Sequence, residues 1–298
     1  MQHQDHPEKL KHNIWKFFLY NLSERRHFIP ILSIYFLTLP NTTAQQIGIF
    51  TALGSLASFL FEIPSGYFAD RFGHKNTLIL SKIFMILSMT AFIFATSLGL
   101  FIVGSVFMAL GFACHSGTNS AFMHNMLLAF KREKEFTKIM SKTSANISLI
   151  SAFLIILLPF LTKFSIVLPL QINLVFDGIG LIAALMLWSP DGKYKAVSTK
   201  LSTIWKEIRY SVKSGFYPAA IFVGAMGGFI LASHAYRYVY LDSLGYPVIF
   251  IGFVMGISRF VWFAVGHYAH ALEQKLGIKN ILTIDLIIFP LLFIVVAS

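Results

Sequence analysis

Charge is what this chain has least of. Only 12% of its 298 residues are Asp, Glu, Lys or Arg, against 56% hydrophobic and 15% aromatic residues, which excludes an ordinary water-soluble domain. Cysteine is nearly absent: Cys114 stands alone, so an internal disulfide is excluded and the thiol is expected to pack as a small apolar group. No segment resembles a nucleotide-binding P-loop, no H-E-x-x-H pair occurs, and no nucleophile, acid and base fall at catalytic spacing, so neither an enzyme nor a nucleotide-driven machine is expected. The period-2 alternation of a membrane barrel is missing as well. His3, His6 and His12 have no second ligand cluster to close a metal site and read as a polar tail. No cofactor is implied.

What the chain has instead is a series of apolar segments. About 20 helical residues cross the ~30 Å of bilayer hydrocarbon, and segments of that length fall at 15–39, 46–68, 76–97, 99–129, 143–163, 165–188, 215–241, 247–270 and 280–298. Open strands cannot satisfy their backbone groups in lipid, so about nine helical spans are expected. The polar start, with Asp5 and Glu8, is unlike a cleavable signal peptide. The net charge of +11 does not point to nucleic acid, because 18 of the 24 Lys and Arg fall in alternate loops, including 131–142 and 193–213, whereas the opposite loops carry only Lys163. The positive-inside rule then places the N-terminus and the 70–75 loop in the cytoplasm. The expected divisions are a tail over 1–14, a six-helix bundle over 15–188, a cytoplasmic connector over 189–214 and three further helices over 215–298.

One loop carries a motif. Gly66-Tyr67-Phe68-Ala69-Asp70-Arg71-Phe72-Gly73-His74-Lys75 joins the second and third spans. Gly66 is expected to let its helix approach a neighbour, and Gly73 to turn the chain at positive φ. Asp70 can accept from the N–H groups of another helix's first turn, while Arg71 and Lys75 can donate to facing carboxylates. The ten residues resemble the cytoplasmic loop signature of the Major Facilitator Superfamily, G-x-L-[AS]-D-R-x-G-R-[KR], with Phe68 for the Leu and His74 for the first Arg. Glu62-Ile63-Pro64-Ser65-Gly66 resembles the E-I-P-[ST]-G of some drug-efflux-like members, and Glu62 is expected to join the helix-end network with the signature loop. The resemblance implies an all-α bundle of two six-helix halves and a multi-pass secondary transporter of the inner membrane. It further implies alternating access and a gating role for the loop, with Asp70 docking on an eleventh helix. Two exporter signatures are missing: Phe107 and Leu110 replace the Arg and Gln of R-x-x-Q-G before Gly111, and the fifth span has no glycine. Export therefore rests on the Glu62 motif alone.

The chain also repeats itself. An offset of 204 residues pairs Ile47-Gly48 with Ile251-Gly252 and Gly73-x-Lys75-Asn76-x-Leu78 with Gly277-x-Lys279-Asn280-x-Leu282, as parallel halves require. The same offset carries a complete second half to about position 392, so a chain ending at Ser298 is expected to be truncated or part of a longer product. The alternative to a carrier is accordingly a truncated, non-transporting membrane fragment or a decayed family member.

Ionisable groups at membrane depth cost at least ~2.5 kcal/mol each and are rarely retained idly. The run from Phe28 to Leu39 is too short to cross alone, so the first helix draws Glu24, Arg25, Arg26 and His27 into the membrane. Glu24 and Arg25 can pair, and Arg26 needs another acid or an anionic ligand. Substrate binding and a structural ion-pair network are equally compatible with these residues. His115, Ser116 and Asn119 share a face of the fourth span, with His115 either a proton-relay group or a satisfied packing residue. Asn173 and Asp177 lie four apart in the sixth span, Arg237 shares a face with His234 and Tyr238 in the seventh, Arg259 lies in the eighth, and Asp285 in the ninth. A cavity lined by Glu24, Asp177 and Asp285 against Arg25, Arg26, Arg237 and Arg259 has a slight basic excess, which suits an anionic solute, while the aromatic lining suits an amphiphile. A coupling proton is the expected second partner. Gly224-x-x-x-Gly228 and Gly252-x-x-x-Gly256 offer close-packing faces to the seventh and eighth helices.

Overall fold

The computed structural model describes residues 6–189, 236–261, 263 and 280, with side chains from residue 10 onward. All regular structure among them is helical. In chain order the elements are α1 (His6–Ser23), α2 (Ile29–Leu37), α3 (Ala44–Phe72), α4 (His74–Ile93), α5 (Leu98–Ala129), α6 (Phe136–Leu157) with its 3₁₀ extension Leu158–Lys163, and α7 (Leu168–Met186). Two more helices follow, α8 over 236–243 and α9 (Val248–Val261). Among the described residues five helices are long and apolar enough to span a bilayer. Exposed large side chains such as Phe59, Leu60, Val175 and Ile182 are what a lipid-facing surface needs, since lipid removes the hydrophobic penalty for exposing them.

The helix ends follow from local chemistry. Gln46 Oε1 accepts from the Thr43 N–H at 3.0 Å, capping α3. A single residue, Gly73, joins α3 to α4 at φ +89°, a conformation glycine adopts without Cβ strain. The first span departs from the expected continuous helix. Its first part begins at His6, so residues 6–14, expected in the tail, already belong to α1: Leu10 is buried, and Asn13 donates to the Trp188 carbonyl at 2.9 Å. The span then breaks over 24–28. Pro30, second residue of α2, has no N–H to offer the Arg26 carbonyl four positions back and its ring crowds that carbonyl, so the chain restarts as a new helix. The N-terminal residues 1–5 lie outside the described residues.

Two apolar cores sit at the two ends of the bundle. One gathers Phe28, Ile31, Phe36, Phe50, Phe92, Phe101 and Leu170; the other gathers Phe17, Tyr20, Leu78, Phe122, Met126 and Ala184. In the break after α1, and on α4 and α7, the residues between these cores include charged ones. Antiparallel α4 and α5 pack closely because Ser81 donates to the Gly111 carbonyl and Ser88 to the Gly104 carbonyl, each at 2.8 Å, with no Cβ on the accepting residues to hold the helices apart.

The internal repeat has a structural counterpart. α9 begins at Val248, 204 residues beyond the first residue of α3, and the preceding turns place Asn41 (φ +58°) and Gly245 (φ +83°), again 204 apart, in the left-handed region. Gly252 and Gly256 pack α9 onto α6: a Cβ at Gly252 would lie 2.8 Å from the Ile155 carbonyl oxygen, and one at Gly256 3.0 Å from that of Ala152. The matching residues of the C-terminal loop, Gly277 and Lys279, and the pair Gly224 and Gly228 lie outside the described residues, as does the connector over 190–214.

Candidate functional site

The break after Ser23 delivers three polar side chains to the layer between the two cores. Glu24, Arg26 and His27 are all at least 94% buried. Arg26 forks Asp177 of α7, with Nη1 2.6 Å from Oδ2 and Nη2 2.8 Å from Oδ1. Such bidentate pairs are the strongest available to arginine. Lys82 of α4, fully buried, donates to Glu24 Oε1 at 2.8 Å, lies 3.4 Å from Asp177 Oδ1, and sits 5.0 Å from the centre of the Tyr20 ring. Arg26 also lies 3.8 Å from Glu24 Oε2 and donates to the Ser23 carbonyl at the end of α1, where the helix dipole favours a cation. With its amide oriented to satisfy both neighbours, Asn173 accepts from Arg26 at 2.8 Å and donates to the Arg25 carbonyl at 3.3 Å. Two acids and two bases thus neutralise one another at mid-bundle, which is the condition for keeping charge in a low-dielectric interior.

Glu24 therefore pairs with Lys82 and Arg26, not with Arg25, because the break turns Arg25 away from it. Asp177 is fully buried behind Arg26 and lines none of the three cavities described next. Arg25 is exposed and faces a cavity of about 170 Å³ together with Glu24, Arg26, His27, Phe112, Ser148, Ser151 and Arg259. His27 bonds Ser151 through Nε2 at 3.0 Å. A second cavity, of about 230 Å³, shares Glu24, Arg25 and Phe112 and adds Asn21, His115 and Asn119. His115 Nδ1 is 3.2 Å from the Tyr20 hydroxyl. A third chamber, of about 530 Å³, shares Ile29 and Phe112 with the first and is mostly apolar, its walls including Leu32, Phe50, Met108 and Tyr238 with hydroxyls from Ser33, Thr51, Ser55 and Ser105. Arg237 lines none of these three, although its neighbour Tyr238 does; His234 and Asp285 lie outside the described residues.

Ser116 turns away from His115 and Asn119 and donates to Glu62 Oε1 of α3 at 2.9 Å. Glu62 thus ties α3 to α5, where Ser65 also donates to the Ala113 carbonyl at 2.9 Å, and does not join the signature loop. At that loop Arg71 bonds Tyr67 of its own helix at 3.2 Å rather than a facing carboxylate, and Asp70 and Lys75 have no hydrogen bond or ion pair among the described residues. A Cβ at Gly66 would meet nothing within 4 Å, so the expected close approach at this glycine is not made. Cys114 is buried as expected.

The fold and its matches decide the lineage. The Major Facilitator Superfamily profile matches residues 18–298. The chain belongs to the Major Facilitator Superfamily. It is therefore a multi-pass membrane protein of a transporter family. Among curated proteins it is 34% identical over 129 residues to the uncharacterized MFS-type transporter YxaM of Bacillus subtilis (strain 168), an alignment covering 43% of this chain and 30% of that relative's length. Among solved structures it superposes on a mutant of the nucleoside transporter NupG with a TM-score of 0.70 at 16% identity, over 91% of this chain and 69% of the other, which shows the same fold.

Lys82 is the site residue that motif reasoning passes over. It is the only Asp, Glu, Lys or Arg between Lys75 and Lys131, and that isolation in an apolar run was its signal. Phe112 carries no such mark; an aromatic residue in a membrane helix has too many apolar roles to be singled out.

Proposed function

We propose that this chain is a secondary transporter that moves a small solute by alternating access, the solute entering the cavities beside the broken first span. The observation that carries this reading is the charge-neutral cluster of Glu24, Arg26, Lys82 and Asp177 immediately behind a cavity lined by Arg25 and Arg259. Discontinuous helices with backbone and charged groups at mid-membrane are how carriers build solute and ion sites. Glu24, within bonding distance of Lys82 and lining two cavities, is the group suited to exchange a coupling proton, with His115 and Tyr20 beside it. In this reading the bundle sits in the inner membrane with the N-terminus and the 70–75 loop in the cytoplasm, residues 15–188 form one rocking half, and 189–214 connect it to the other. Outward movement of the solute is the working direction, on the Glu62–Gly66 resemblance.

Reconstitution in proteoliposomes tests the reading: gradient-dependent flux of a solute that also shifts the protein's melting temperature is expected. Absence of flux for any solute that binds would reject it. Asp70, exposed and without a hydrogen bond or ion pair among the described residues, belongs to the gating part of the proposal. Asp70→Asn is expected to slow flux severalfold while leaving membrane insertion unchanged, and wild-type flux in that variant would return the loop to a topological role.

A further inference from the structure

Among the described residues four cations surround the break in the first span, Arg25, Arg26, Lys82 and Arg259, and two acids, Glu24 and Asp177, answer them. Both acids are already engaged by Arg26 and Lys82. Arg25 and Arg259 are left over. They line one cavity, lie close enough to repel each other, and have no ion pair among the described residues. Two polar atoms of residues more than nine-tenths buried stand in the same wall: the donor Arg26 Nε and the ring nitrogen His27 Nδ1 have no hydrogen-bond partner among the described residues. Ile29, the first residue of α2, lines the same cavity. Close packing of α9 on α6 holds Arg259 in place, because Gly252, Gly256 and Arg259 follow one another at four- and three-residue spacing on one helix face.

The geometry points to an amphiphilic anion as the ligand, its head between Arg25 and Arg259 and its apolar part passing Phe112 into the chamber lined by Leu32, Phe50 and Tyr238. This rests on the transport reading of the same site and names the solute class. Phe112 lines all three cavities and is the aromatic surface along which the apolar part lies. The head cavity, at about 170 Å³, takes a carboxylate or phosphate group, and the chamber beyond it, at about 530 Å³, takes the body that a free inorganic anion lacks. The same chemistry belongs to a soluble carboxylic acid and to an anionic lipid, and competition separates them.

The test uses the full 298-residue chain in phosphatidylcholine nanodiscs, with 3-phenylpropionate, 3-phenylpropanol and acetate as probes and calorimetric binding as readout. Phenylpropionate is expected to bind at least about tenfold more tightly than either the alcohol or acetate, the scale of one charge-assisted hydrogen-bonded pair. Arg25→Gln and Arg259→Gln each remove about tenfold on the same scale, Arg25→Lys recovers part of it, and Phe112→Ala weakens phenylpropionate but not acetate. Because the two arginines repel each other, the Gln variants keep the unliganded melting temperature of the parent, so lost binding is not lost folding. Equal affinity for acid and alcohol, or unchanged binding in both Gln variants, would overturn the proposal. Displacement of phenylpropionate by added phosphatidylglycerol makes the anion lipid-borne, and its absence makes the anion a free solute. Flux in proteoliposomes is read separately: a neutral solute carried without anion binding defeats this inference alone, while anion binding without flux defeats only the transport reading.

Discussion

Lys82 donates to Glu24 at 2.8 Å and lies 3.4 Å from Asp177, so a substitution at this position acts on two acids at once. Lys82→Met is expected to lower stability by about 3–5 kcal/mol, the range found when one partner of a buried pair is removed, measured by denaturation in detergent. Lys82→Met with Glu24→Gln is expected to recover most of that loss, because the apolar Met then faces an uncharged amide instead of an orphaned carboxylate. Equal losses in the single and double variants would mean that the cluster is not coupled. Asp177 behaves differently, since Arg26 grips both of its oxygens and Asn173 holds Arg26 from the other side. Its partner Arg26, in the break after α1, was visible in sequence only as an arginine in need of an acid. The candidates among the acids were few, and folding selected the one 151 residues away.

Glycines separate the packed helix faces from the free ones. At Gly180 on α7, a Cβ would overlap the Ser23 hydroxyl and come within 2.7 Å of Ser23 Cβ and 2.9 Å of Lys82 Cε; at Gly66 on α3 it would meet nothing. Gly180→Ala is therefore expected to lose about 1–3 kcal/mol by overpacking, displacing the end of α1 and the charges that follow it. Gly66→Ala is expected to gain up to about 1 kcal/mol from helix propensity. Paired thermal melts check both, and a strong loss at Gly66 would reveal a neighbour that closes on α3. The two glycines look alike in sequence, each within an apolar run, because what surrounds a helix face is decided by other helices. The break between α1 and α2 is a similar case: Pro30 announced a disturbance, but the same proline in a packed helix can be absorbed as a kink. Here the buried partners of Glu24 and Arg26 reward a full interruption.

For the molecule as a whole, the charge layer lies between two apolar cores, and the described basic loops, 70–75 and 131–142, lie at the same end. Single cysteines at Asp70 and Lys134 are expected to react with an impermeant thiol reagent from the same side of the membrane, and one at Gly99 from the other; native Cys114 is buried and gives little background. Labelling of 70 and 134 from opposite sides would undo the topology. The described helices α8 and α9 meet the preceding ones through Gly252 and Gly256 on α6 and through Ile34, Tyr238 and Ile251, beside the cavity that Arg25 and Arg259 share.

The sequence by itself determined the membrane class, the positions of α3 to α7 to within a few residues of their apolar runs, except where α6 starts early at Phe136, the lineage through the 66–75 loop, and the 204-residue repeat that Asn41 and Gly245 mirror. Those properties are periodic or local: hydrophobic length, loop charge and turn chemistry act within a few residues of where they are written. Only the tertiary structure decided that Lys82 answers Glu24, that Asp177 is buried behind Arg26, that Glu62 bonds Ser116, and that Arg25 and Arg259 are the cations left without acids among the described residues. Pairing between charges far apart in the chain depends on which helix faces come together. That choice is made by close packing at small residues such as Gly104, Gly111 and Gly256, whose neighbours no local pattern specifies.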